Sequence, residues 1–189
     1  MVPKRNSLRI VGGVWRSRRI QFADNPDIRP TPDRVRETLF NWLADKIEGA
    51  RCLDLFAGSG ALGFEAASRG AAHVTQVDRN ASVAAMLELQ KQALQARQVD
   101  IVCQDALDYV QQAREPFDIV FLDPPFATDL DRQILPALVT RRLLRPPARV
   151  YVESPVDRIL EFPGSLDCIR EKTAGQVRYQ LYALEDEIV

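Results

Sequence analysis

The chain has 189 residues, 46% hydrophobic and 27% charged, with a net charge of −1. That size and balance predict one compact domain with a buried core and exclude collagenous, low-complexity and disordered chains. No apolar run is long enough for a membrane-spanning helix. The basic start MVPKRNSLRI lacks the apolar segment of a signal peptide, so a cytoplasmic location without membrane contact is expected. Cys52, Cys103 and Cys168 form no C-x-x-C pair and His73 is the only histidine; neither a metal site nor a disulfide framework is expected, and these four side chains read as small buried groups.

The charge is unevenly spread. Residues 1–22 carry Lys4, Arg5, Arg9, Arg16, Arg18 and Arg19 and no acid, whereas the remaining residues are net acidic. A basic arm on an acidic body points to nucleic acid contact, with Arg16, Arg18 and Arg19 as phosphate partners. Leu8–Val11 and Arg18–Phe22 are short strand-like runs separated by a segment that starts at Gly12-Gly13, the pattern of a small β-hairpin. Asn25-Pro26, Pro30 and Pro32 mark a linker, so residues 1–28 are assigned to the arm and 29–189 to the main domain.

Residues 33–43 read as a helix, with Val35, Leu39 and Trp42 on one apolar face, Thr31 as N-cap and Pro32 at the first helical position. Arg34 and Arg36 cannot both lie on that face. Strand and helix then alternate: a strand over 51–56, a helix through about Ser68, a strand over 73–77, a helix over 80–97, a strand over 99–103, a short helix over 105–113, an almost wholly apolar strand over 117–122, a helix over about 129–140 and a strand over 149–153. Two further strands, near 166–173 and 176–184, have no helix signal between them and form an antiparallel pair. Such alternation implies an α/β fold with a mostly parallel sheet, helices on both faces, and ligands at the carboxyl ends of the strands.

The segment Asp54-Leu55-Phe56-Ala57-Gly58-Ser59-Gly60-Ala61-Leu62-Gly63 places G-x-G-x-x-G between a predicted strand and a helix, the context that motif requires. Glycine permits positive φ and close backbone approach, and the helix start offers free N–H groups. Asp78 ends the next strand, 20 residues after Gly58, where a carboxylate accepts from both ribose hydroxyls. An adenosine-containing cofactor follows, either a nicotinamide dinucleotide or S-adenosylmethionine. Asp54, Phe56, Gly58, Gly60, Asp78, Asp105 and Ala106 are its candidate contacts; Asp105 is suited both to the adenine amino group and to capping the next helix.

At the end of the apolar strand stands Asp123-Pro124-Pro125-Phe126, which resembles the motif of methyltransferases acting on exocyclic amines of nucleic acid bases. Such an amine is a poor nucleophile, because its lone pair is delocalised into the ring. The Asp123 carboxylate and the Pro124 carbonyl would draw its two protons out of plane, and paired prolines stiffen that loop. Phe126 offers a ring on which an extruded base stacks. Taken alone, the same four residues also describe a rigid turn after a buried strand.

Together with Arg29-Pro30-Thr31-Pro32-Asp33-Arg34-Val35-Arg36-Glu37-Thr38-Leu39-Phe40-Asn41, Tyr151-Val152-Glu153-Ser154 and Glu171-Lys172-Thr173-Ala174-Gly175-Gln176-Val177, these segments resemble the RsmD family over nearly the whole chain. The resemblance implies a class I, Rossmann-like methyltransferase with a seven-stranded sheet and one antiparallel strand near an edge. It implies transfer of methyl from S-adenosylmethionine to N2 of one guanine in 16S ribosomal RNA, free or in a small-subunit particle, by a metal-free monomer. It also implies that Arg29, Thr31, Arg34, Arg36 and Asn41 line the entrance between arm and pocket. One departure is Asp78, where the family is associated with glutamate. Three rival readings remain from the residues: a DNA adenine-N6 methyltransferase, a nicotinamide oxidoreductase and a non-catalytic RNA-binding factor.

Overall fold

A computed structural model describes residues 6–22, 28–125, 128–160 and 162–185. Phe126, Lys4, Arg5 and the Asn25-Pro26 step lie outside the described residues. Strands β1 (Asn6–Arg9) and β2 (Arg19–Phe22) pair antiparallel as the expected hairpin. After α1 (Asp33–Trp42), the chain alternates through β3 (Arg51–Asp54), α2 (Ala61–Ser68), β4 (His73–Asp78), α3 (Ala81–Leu94), β5 (Val99–Cys103), α4 (Ala106–Gln112), β6 (Phe117–Leu122), α5 (Leu130–Thr140) and β7 (Leu144–Pro155). It closes with the antiparallel pair β8 (Asp167–Ala174) and β9 (Val177–Leu184).

The main sheet runs β5-β4-β3-β6-β7-β9-β8, with β9 antiparallel to both its neighbours. The chain starts in the middle at β3, builds outward to β5, then returns to β6 on the other side of β3. The switch point therefore lies between the carboxyl ends of β3 and β6, where an open α/β sheet leaves a crevice.

Alternation along the strands divides the core in two. Cys52, Val74, Ile119, Phe121 and Tyr151 face α1, α2, α3 and the hairpin, whereas Leu53, Val77, Val120, Leu122 and Val152 face α4 and α5. Burial on both faces explains why β6 reads as an apolar run rather than an alternating one. The hairpin is part of this core: Ile10 and Ile20 are fully buried within the first cluster.

The helix expectation is shifted by one residue at its start. Pro32 itself occupies the N-cap of α1 and no side chain caps that end, so Thr31 is not the cap. The cysteine reading holds for Cys52 alone, because Cys103 and Cys168 are exposed, the former at the end of edge strand β5 and the latter on edge strand β8. An edge strand leaves one flank open, so a short apolar run there does not guarantee burial. His73 is only half-buried, with Nε2 3.4 Å from Asp100 Oδ2.

Candidate active site

Two groups of acidic residues meet the crevice. Asp54, at the end of β3, is buried and accepts from the Gly63 N–H at 3.0 Å and from Gln76 Nε2 at 3.5 Å. Burial is the main reason that its carboxyl is pushed up to about 7. Between Asp54 and α2, Gly60 takes the N-cap position with φ +77°, a backbone that only glycine adopts without strain. Gly63 is required for a different reason: a Cβ there would stand 2.2 Å from Gln76 Nε2, so its absence lets the first turn of α2 lie on the sheet. Phe56 is half-buried in the loop itself.

Asp78, at the end of β4, holds the glycine loop from the other side: its Oδ2 accepts the Gly58 N–H at 3.0 Å and its Oδ1 the Asn80 N–H at 2.8 Å. Asp105, after β5, caps α4 by accepting from the Leu107 and Asp108 N–H groups at 2.9 and 3.4 Å. Ala106 is buried beside it. Three adjacent strands thus end in carboxylates already engaged with backbone donors.

Across the switch point the situation reverses. Asp123 follows β6 directly, keeps part of its surface open, and its carboxylate receives no hydrogen bond among the described residues. Burial and the neighbouring carboxylates of Glu153 and Asp54 push its carboxyl well above the usual range. Pro124 is buried behind it, and Thr128 closes the loop by donating both its N–H and its hydroxyl to the Pro125 carbonyl, at 3.0 and 2.8 Å.

Glu153 was not singled out from the sequence. It lies near the end of β7 with only 7% of its surface exposed, and its Oε1 accepts from the Tyr151 hydroxyl at 2.8 Å and the Thr31 hydroxyl at 3.3 Å. Burial raises its carboxyl, and those two hydrogen bonds oppose the rise. An acid two residues beyond a buried tyrosine, on the strand after Asp123, is the signal that was available. Thr31 lies in the expected entrance segment, but the role found for it is to hold this carboxylate.

The remaining candidates separate by exposure. Arg16, Arg18, Arg19, Arg29, Arg34 and Asn41 are exposed; Arg18 Nη2 donates to the Ala93 carbonyl near the end of α3 at 2.7 Å, and Arg19 Nη1 to Ser7 Oγ at 2.9 Å. Arg36 corrects the sequence reading, for it is fully buried and unavailable to a phosphate. Its guanidinium pairs with Glu65 at 3.2 Å and with Asp33, and donates to the carbonyls of Arg9 and Thr31 at 2.9 and 3.1 Å. Glu65 on α2 also accepts from the Val11 N–H at 2.9 Å and from Arg69 at 2.7 Å. Ser68, one turn further, accepts from the Trp15 N–H at 2.9 Å and donates to the Gly12 carbonyl at 2.6 Å. The arm is therefore seated rigidly on the helix that follows the glycine loop.

This sheet order, with a glycine loop after β3 and Asp-Pro-Pro after β6, is that of a class I methyltransferase. A family model described as conserved hypothetical protein 95 matches residues 8–183. The chain belongs to that family, the RsmD family of methyltransferases. It is 45% identical over 179 residues to ribosomal RNA small subunit methyltransferase D of Escherichia coli K12, an alignment covering 94% of this chain and 90% of the relative. The Haemophilus influenzae protein of the same name is 42% identical, with 94% of each chain covered. The solved structure of the Escherichia coli protein yhhF superposes with a TM-score of 0.90 at 43% identity, over 96% of this chain and 100% of that one. No helix among the described residues is long and apolar enough to cross a membrane.

Proposed function

We propose that this protein transfers a methyl group from S-adenosylmethionine to the exocyclic N2 of a guanine in 16S ribosomal RNA, acting on the RNA or on a small-subunit particle. The observation that carries the proposal is the meeting, at one switch point, of a backbone-organised glycine loop and an acceptor carboxylate, Asp123, that receives no hydrogen bond among the described residues. The shared name of the two relatives supports this class of RNA.

The residues fit the cofactor. Gly60 and Gly63 keep the loop and first turn of α2 free of side chains. Asp78, at the end of β4, would hold the ribose, and Asp105 with Ala106, after β5, would hold the adenine. When bound, S-adenosylmethionine supplies an electrophilic sulfonium methyl. The chain's own work is done on the amine: Asp123 and the Pro124 carbonyl accept its two N–H groups, so that the nitrogen lone pair is localised and aimed toward the cofactor. An acceptor with a raised pKa is well matched to the proton that the nitrogen must lose. Phe126, beyond the described residues, is assigned the stacking surface for the extruded base. Holding the reactants in this geometry is worth about 7–11 kcal/mol. The exposed arginines of the arm, with Arg29 and Arg34, meet the phosphates.

The test is mass mapping of methylated nucleotides in 16S ribosomal RNA from cells lacking the protein. Loss of one N2-methylguanine, restored by the wild-type gene, is expected. An unchanged methylation map overturns the reading.

A further inference from the structure

The Asp-Pro-Pro chemistry serves any exocyclic amine, so it leaves open how one base is chosen. Adenine and cytosine present, beside their amino group, a ring nitrogen that accepts; guanine presents beside its N2 amine an N1–H that donates. A site that selects guanine needs a second acceptor next to the one that engages the amine.

The structure places such an acceptor at that point. Phe121 and Tyr151 are partners across β6 and β7 and lie on the same sheet face. Two residues beyond each come Asp123, just past the end of β6, and Glu153, still within β7, near enough for their charges to interact, as neighbouring strands lie about 4.8 Å apart. Glu153 is more than nine-tenths buried, and both of its hydrogen bonds converge on Oε1. Oε2 receives none among the described residues and, although the residue as a whole is buried, this oxygen is not sealed from solvent, so it stands free to meet a donor. Burying a second carboxylate beside Asp123 is electrostatically unfavourable, since the Glu153 charge raises the proton affinity of Asp123. As a hydrogen-bond anchor for Tyr151 and Thr31, a neutral glutamine would serve at lower cost. The arrangement is therefore explained better by a ligand than by the fold.

We propose that Glu153 is the specificity-determining residue for the base: its Oε2 accepts the N1–H of guanine while Asp123 accepts from N2. The inference rests on the guanine-N2 reading and adds to it the group that chooses the base. The bonds from Tyr151 and Thr31 fix the carboxylate, so that a donor-bearing edge is accepted and the lone pair at N1 of adenine is repelled. Loss of a bond that the site was built to make discriminates more strongly than poor packing does.

The probe is 2-aminopurine, which keeps an amino group at C2 but has an accepting N1. Once the target nucleotide has been mapped, that position is filled with guanine or 2-aminopurine in otherwise identical small-subunit RNA, and kcat/KM is measured for each. The wild type is expected to prefer guanine by about a hundredfold. Glu153→Gln, whose amide donates to an accepting N1, should lower that preference by at least about tenfold, while affinity for S-adenosylhomocysteine stays unchanged. A purely structural role would reduce both substrates alike and leave their ratio intact, and that result overturns the proposal, as does a wild type that methylates the two equally. Should Glu153→Gln fail to fold, Glu153→Asp, which keeps the charge but withdraws it from the base, must lower the preference in the same direction. A wild type inactive on guanine in this RNA refutes the functional reading itself, and the proposal with it.

Discussion

The two ends of the rim treat their acids in opposite ways. At the glycine-loop end, Asp54, Asp78 and Asp105 each accept from backbone N–H groups and so shape the loops they belong to. Across the switch point, Asp123 makes no such bond among the described residues and Glu153 engages only one of its oxygens. One end is preorganised by bonds already made; the other is held in a repulsive state that incoming donors relieve. Substitutions at the first end should therefore alter local structure together with binding, whereas those at the second should alter chemistry with little structural cost.

The sharpest way to break this contrast is Asp123→Ala. Turnover is expected to fall about a hundredfold to a thousandfold, in line with the loss of a preorganised charge-stabilising group. Affinity for S-adenosylhomocysteine, by calorimetry, should change less than about threefold, and the thermal midpoint should hold or rise, because a buried repulsion has been removed. A parallel loss of cofactor affinity and turnover would show that the second end is structural after all.

Behind the first end, Glu65 joins the hairpin, α1 and α2 through the buried Arg36. Glu65→Ala leaves that guanidinium with only Asp33 and two carbonyls, and breaking a buried pair costs about 3–5 kcal/mol. Urea unfolding measures this directly. A loss below about 1 kcal/mol would mean that the arm is not tied to the loop helix by this network.

Much of this arrangement was legible in the sequence, for reasons that are local. Strand and helix alternate with glycine and proline at the breaks, so the order of elements, the antiparallel pair at the end and the convergence of Asp54 and Asp123 on one rim all follow from period and punctuation. Arg36 was not legible. The stripe of Val35, Leu39 and Trp42 defines an apolar face, and an arginine beside it reads as solvent-facing until Glu65, 29 residues away, supplies the opposite charge. Thr31 fits the pattern of a helix cap, yet its hydroxyl is claimed by Glu153, 122 residues further on. Pairings made only by the tertiary fold leave no periodic trace.

The pH dependence of stability tests the first end through Asp54. The Asp54 carboxyl ordinarily titrates at 3.8 and is pushed up to about 7 in the folded chain. Between those values the unfolded chain has lost this proton while the folded chain retains it. The folded state binds more protons, so stability falls as pH rises through that window and the loss is complete above about pH 7. Asp123 and Glu153 are raised too and act with the same sign. Asp54→Asn should flatten the decline in the cofactor-free protein by about 3 kcal/mol between pH 4 and 7, read from urea midpoints at successive pH values. An unchanged slope would mean that Asp54 stays ionised under the loop.

The smallest effect belongs to the arm, which stands outside both ends. Arg16 and Arg19 are exposed, whereas Arg18 spends its guanidinium on the Ala93 carbonyl near the end of α3. Arg16→Glu with Arg19→Glu therefore removes phosphate contacts while sparing that anchor. If each arginine meets one phosphate, the slope of log affinity against log salt becomes shallower by about 0.7 for each contact on single-stranded RNA. At near-physiological salt the affinity for small-subunit RNA falls about tenfold. Cofactor affinity and turnover at saturating RNA should not move, because Gly12, Val11 and Trp15, not the arginine side chains, seat the hairpin on α2. Filter binding at several salt concentrations reads the slope, and a variant with the wild-type slope would remove these two side chains from RNA recognition. A shallower slope accompanied by slower turnover at saturation would instead make the arm an orienting element, coupled through Glu65 to the loop that organises the first end.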